Sequence, residues 1–118
     1  MTLSAVAVVR RYLFELYNDG NVDVVNEICG EPLARHSADG IVTLTRAEQI
    51  ARIEKDLAAH DPKFTVVTLF GDDSHASLTW NAKRLATGEE LCGIEIFQVS
   101  EGLITDVWNS NYFEGSWS

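Results

Sequence analysis

The second half of this chain has little freedom in what it can become, because from Lys63 onward every segment reads as a strand. Phe64–Phe70, Ser74–Arg84, Glu89–Ser100 and Leu103–Phe113 are rich in β-branched and aromatic residues. The connections between them carry Gly71-Asp72-Asp73, Thr87-Gly88 and Ser100-Glu101-Gly102. Such short links allow hairpins and nothing longer, so these strands form an antiparallel meander. Strands of this length twist, and a twisted sheet curls around whatever covers its apolar face.

The cover comes from the first half. Val8, Val9, Tyr12, Leu13 and Leu16 recur at helical spacing, which predicts a helix from about Ser4, its cap, to Asn18. Asn18-Asp19-Gly20-Asn21 stops it, and a short second helix over Val22–Cys29 buries Val24, Val25 and Ile28 before Gly30-Glu31-Pro32 breaks it. Short extended pieces follow near Ala34–Ser37 and Ile41–Thr43. Thr45-Arg46-Ala47-Glu48 has the capping-box pattern, so a third helix starts near Arg46 and runs to about Ala59, short of Pro62. Helices first and hairpins afterwards is an α+β plan in which the concave side of the sheet encloses a pocket. The length of 118 residues suits one domain spanning 1–118.

Bulk properties remove several functions. A net charge of −9 repels phosphates, so no nucleic acid is expected as a partner. No apolar run approaches membrane-spanning length, and Arg10 and Arg11 follow the apolar start instead of preceding it, unlike a signal peptide. The expectation is therefore no membrane and a cytoplasmic location. Cys29 and Cys92 lack metal-type spacing and are expected as buried thiols. The histidines His36, His60 and His75 are scattered, so no metal is expected, and with no phosphate-binding glycine loop no other cofactor is expected either.

Three ionisable groups interrupt apolar patterns. Tyr12 lies on the stripe of the first helix, His36 follows the apolar stretch ending at Leu33, and Glu95 breaks Gly93-Ile94-Glu95-Ile96-Phe97. Polar groups so placed need partners, and if they converge they suit acid–base chemistry. For Glu95 two readings stand. Either it faces a pocket with Leu91, Phe97 and Val99, where burial would keep it protonated, or it faces solvent and pairs with Lys83 or Arg84. Tyr12 reads equally as a core tyrosine, and His36 as a structural histidine or a proton carrier. Phe14, Trp80, Phe97 and Trp108 either line an apolar pocket or are plain core, and Asn109 and Asn111 fall on one face of the last strand with Val107.

Val8-Val9-Arg10-Arg11-Tyr12, the stop Asn18-Asp19-Gly20-Asn21-Val22-Asp23 and the closing hairpin Gly93–Phe97 with Glu101–Trp108 together resemble the nuclear transport factor 2-like superfamily. Within it the chain is similar to the ketosteroid isomerase and SnoaL-like polyketide cyclase group. The resemblance implies a cone: a curved antiparallel sheet wrapped around three N-terminal helices, with a deep apolar pocket and a homodimer formed through the sheet. It implies a cofactor-independent isomerase, cyclase or dehydratase acting on a small apolar cyclic ketone of steroid, terpenoid or polyketide type. It also assigns Tyr12 as a donor to the substrate oxygen, Glu95 as a protonated second donor, and His36 as the base. Stacking by the aromatic residues and polar contacts from the two asparagines, which otherwise read as surface near the sheet end, would then bind the substrate. The chain departs from the isomerases in having His36 where they have a carboxylate. It departs from the cyclases in having no acid between Trp108 and Glu114. A non-catalytic binding or dimerisation module of the same fold is the alternative.

Overall fold

The computed structural model describes residues 4–110 and 112–118. Helix α1 (Ala5–Arg11) is capped by the Ser4 hydroxyl, which accepts from the Ala7 N–H at 3.2 Å. The helix then widens into a π-helical segment over Tyr12–Asn18, where the Asp19 N–H donates to the Phe14 carbonyl. A normal α-helix turns residues five apart away from each other. The wider turn instead brings Tyr12 and Tyr17 edge to face, with ring centroids 5.3 Å apart, on the buried side. A 3₁₀ turn (Val22–Val24) leads into the short helix α2 (Val25–Ile28).

Strands β1 (Cys29–Ser37) and β2 (Gly40–Leu44) form a hairpin. Helix α3 (Arg46–His60) begins at the expected capping box: the Thr45 side chain accepts from the Glu48 N–H, and the Glu48 carboxylate accepts from the Thr45 N–H. It ends at Asp61, whose left-handed backbone precedes Pro62. Strands β3 (Pro62–Gly71), β4 (His75–Arg84), β5 (Glu90–Ser100) and β6 (Leu103–Asn109) make the antiparallel meander. The sheet order is β2-β1-β6-β5-β4-β3.

Two features differ from expectation. The sheet is mixed, not wholly antiparallel, because β1 lies parallel to β6, pairing Arg35 with Val107 and His36 with Trp108. The last strand also stops at Asn109 instead of running to Phe113. The chain steps out of the sheet there and returns as β7 (Phe113–Glu114) against Leu91 and Cys92 of β5. That detour leaves a hollow beyond the end of β6.

The helices cover the concave face, where Val8, Leu16, Ile28, Ile53, Leu78, Phe97 and Ile104 are fully buried. Asn18 ties the end of the first helix to β3: its amide nitrogen donates to the Phe64 carbonyl at 2.9 Å, and its oxygen accepts from the Phe64 N–H at 2.8 Å. Burial pushes the Cys29 thiol up to about 12, and both cysteines are free. Among the described residues no helix is long and apolar enough to cross a membrane.

Candidate functional site

Strand alternation determines which side chains reach the interior. On β5, Leu91, Phe97 and Val99 are buried while Ile94 and Ile96 are each 42% exposed, so Glu95 points to the concave side. Its cross-strand neighbours are Asn109 on β6 and Leu78 on β4. On β1, buried Leu33 sets the inward face, and Arg35 shares it. The Asn109 amide satisfies both neighbours in one orientation. Its nitrogen then donates to the Glu95 carboxylate at 3.1 and 3.3 Å, and its oxygen accepts from Arg35 Nη2 at 2.6 Å.

Two adjoining hollows share Arg35, Trp80, Glu95 and Tyr112. The outer one, about 620 Å³, is closed by Asn109, Ser110 and Phe113 where the chain leaves β6. The inner one, about 150 Å³, lies against α3 and adds Tyr17, Arg52, Asp56, Phe64 and Leu91, among others. The walls are stiffened by edge-to-face rings that run from Phe97 through Tyr12, Tyr17 and Phe64 to Trp80, with centroids 5.1–5.4 Å apart. Trp80 lies flat over Gly93, where an added Cβ would come within 2.5 Å of the indole. A glycine is required there for the ring to reach the cavity wall.

The electrostatics are unusual for a strand glutamate. Burial pushes the Glu95 carboxyl up, opposed in turn by Arg35, Arg52 and the Trp80 indole N–H. That N–H is itself buried and, among the described residues, makes no hydrogen bond of good geometry. Behind the wall, Arg35 Nη1 donates to the Tyr12 hydroxyl at 3.4 Å, and Arg52 Nη2 donates to the Tyr17 hydroxyl at 3.1 Å. Burial, with Tyr12 close by, holds the Tyr17 phenol well above its ordinary range. The cavity thus offers the Glu95 carboxyl where the two hollows meet, a second carboxyl, Asp56, in the inner one, N–H donors around them and an aromatic wall.

The residues singled out from sequence divide between two faces. Glu95, Trp80 and Asn109 line the cavity. Tyr12 is 3% exposed and touches Arg35 from behind, not from the cavity. Phe97 is core beneath Tyr12, and Phe14 is 36% exposed on the outside of the first helix. His36 and Trp108 lie on the opposite, convex face, because they alternate with inward Arg35 and Val107. His36 Nε2 is 2.8 Å from Asp106 Oδ2, and its ring stacks on Trp108 at 4.6 Å. The expected meeting of His36 with Tyr12 and Glu95 therefore does not occur. Asn111 lies outside the described residues.

Arg35, Arg52, Tyr17 and Tyr112 were not anticipated from sequence. The signal for Arg35 was present in the alternation with Leu33, one residue from the histidine that drew attention. Arg52 follows Gln49 by three residues on the buried stripe of α3. Tyr112 had no such signal, since its place depends on the detour after Asn109. Among the described residues no group of three metal-ligating side chains converges.

The sequence matches no family model and no curated protein. Solved structures do match it. A provisionally assigned ketosteroid isomerase from Kribbella flavida superimposes with a TM-score of 0.78 at 20% identity, over 97% of this chain and 81% of that one. A provisionally assigned polyketide cyclase from Acidithiobacillus ferrooxidans gives 0.77 at 19% identity, covering 92% and 89%. An NTF2-like protein of unknown function from Cytophaga hutchinsonii gives 0.71 at 14% identity, covering 97% and 93%. Helices laid in the concave side of a curved, unclosed sheet, matched along nearly the whole chain, give this protein the nuclear transport factor 2-like fold.

Proposed function

We propose that the cavity is the active site of a cofactor-independent acid–base enzyme that moves a proton next to the carbonyl of a small apolar cyclic ketone. The observation that carries this reading is the Glu95 carboxyl, raised by burial and set beside an unpartnered indole N–H. A carboxyl shifted upwards moves towards the range where a base works near neutral pH. Glu95 takes the proton from the carbon next to the carbonyl. The C–H electron pair becomes a C=C bond, and the negative charge settles on the oxygen. Where the ketone carries a β,γ double bond the enolate is a conjugated dienolate, and returning the proton to its γ carbon completes an isomerisation; cyclisation or dehydration would use the enolate in the same way.

Trp80 Nε1–H and the Arg35 guanidinium are the donors suited to that oxygen. A donor of this kind typically contributes a factor of about 10²–10³ in rate. Asn109 orients both Arg35 and Glu95, and Tyr12 is a positioning residue acting through Arg35. His36 has no part in this reading, since it faces away from the cavity. The Kribbella and Acidithiobacillus proteins, named for isomerase and cyclase activities, share this fold and so support the reading.

The test is hydrogen–deuterium exchange at the carbons flanking the carbonyl of cyclohexanone, followed by NMR in D₂O. The protein should accelerate exchange, and Glu95→Gln should lower the rate by about 10²-fold or more while still showing a cooperative native melting transition. Equal acceleration by the variant would remove Glu95 from the chemistry, and no acceleration by the wild type would leave a non-catalytic binding module.

A homodimer through the convex face belongs to the same proposal. One cross-strand row, Ile41, His36, Trp108, Ile96, Ser77 and Phe70, crosses six strands, and its apolar members are 37–66% exposed. A cytoplasmic location fits the two free thiols.

A further inference from the structure

Of the chain's arginines (Arg10, Arg11, Arg35, Arg46, Arg52 and Arg84), three line one small chamber: Arg35, Arg52 and Arg84. This is in a protein whose net charge of −9 repels anions at a distance. Arg84 is paired with Glu89 at 3.4 Å. Arg35 and Arg52 form no ion pair among the described residues. Asp56, one helical turn beyond Arg52 on α3, lines the same chamber, yet no ion pair joins the two. Arg52 instead donates inwards, to Gln49 Oε1 at 3.2 Å and the Tyr17 hydroxyl at 3.1 Å. Glu95 also lies without an ion pair to either arginine. Two partly buried guanidinium groups held by neutral partners are a costly arrangement unless an anion completes it.

We propose that the ligand carries a carboxylate, bound in the inner chamber by Arg52 together with Arg35, while its carbonyl lies towards Trp80 and Glu95. This deepens the reading of the cavity as an acid–base site, on which it rests: the substrate class becomes a cyclic oxo-carboxylic acid in its anionic form. A planar guanidinium matches a carboxylate with two parallel N–H···O bonds, a geometry that a neutral ester does not satisfy. The two chambers divide the work. Arg52 touches only the inner one, whereas Arg35, Trp80 and Glu95 border both. An anchor in the inner chamber would therefore hold a ring across the boundary, against the Glu95 carboxyl. Anchoring the charged end fixes the distance of the carbonyl from Glu95, which orients the C–H bond to be broken.

The experiment compares 4-oxocyclohexanecarboxylate with its methyl ester by titration calorimetry at pH 7 and low salt, with deuterium exchange measured on the same two compounds. The acid should bind about tenfold or more tightly than the ester. That preference should collapse in Arg52→Gln and persist in Arg52→Lys, each checked for a native melting transition. Equal affinity for acid and ester, binding of neither, or an acid preference unchanged in Arg52→Gln overturns the anion site. Exchange separates the two ideas. If the ester exchanges as readily as the acid, the enzyme reading stands and the anion site falls. If the acid binds selectively but neither compound exchanges, the anion site stands and the enzyme reading falls.

Discussion

Glu95 is the residue at which folding and the proposed chemistry compete. Burial raises its folded pKa above the unfolded value, about 4.3 for glutamate. Between those two values the native state holds more protons than the unfolded chain, so stability falls as pH rises through that window and levels off above it. Below the unfolded value the group is protonated in both states and contributes no pH dependence. Glu95→Gln removes the titration. Melting temperature plotted against pH should therefore decline more steeply for the wild type than for the variant from about pH 4.3 upwards. Parallel curves would mean that the carboxyl is not held in its neutral form. Glu95 was legible from sequence because an acid broke an apolar run, and one strand's alternation already placed it beside Leu91 and Phe97. His36 drew attention for the same reason but lies one residue off the inward face. On a strand, a shift of one position exchanges the two sides of the sheet.

At the scale of elements, local chemistry predicts boundaries well where a cap or turn is involved. The Thr45–Glu48 capping box starts α3 where the pattern says, and α3 carries Arg52 into the cavity. Thr45→Ala should cost about 1 kcal/mol of stability. Urea unfolding would show this as a lower midpoint with an unchanged slope; an unchanged midpoint would mean that tertiary packing alone holds the helix start. Other element features were not legible. The π-helical turn that aligns Tyr12 with Tyr17 has no sequence signature of its own, since its stretch reads as ordinary amphipathic helix. The end of β6 at Asn109 has no local signal either, because the residues beyond it keep a strand-like pattern. β6 ends at Asn109, opposite Glu95 of β5 and one residue past its last partner on β1.

For the whole molecule, the two faces of the sheet have different tasks. The concave face holds the core and cavity, while the convex face carries the exposed row from Ile41 to Phe70. If that row is the contact between two copies, light scattering after size exclusion should give a dimer mass for the wild type. Replacing Ile96 by Lys should give a monomer, because a charge in the middle of an apolar interface goes unpaired when buried. A wild-type monomer would leave the row as exposed surface and remove the dimer from the proposal. Ile96 points away from Glu95, so the variant leaves the cavity lining as it is.

By itself, the sequence determined the helices and their caps, the hairpins with their turns, and the set of residues that share a face with Glu95, while the direction of that face was left to the fold. Each of these depends on residues close together in the chain: periodicity, hydrogen bonding by a cap, backbone conformation at a turn. Tertiary structure alone decided that β1 lies parallel to β6, which brings Arg35 beside Asn109 and sends His36 to the outside with Asp106. It also decided that α3 presents Arg52 to the same chamber and that the chain after Asn109 walls the outer hollow. The cavity's charge comes from side chains that are neighbours only after the sheet has curled. The long-range register that joins them leaves no pattern in any one segment.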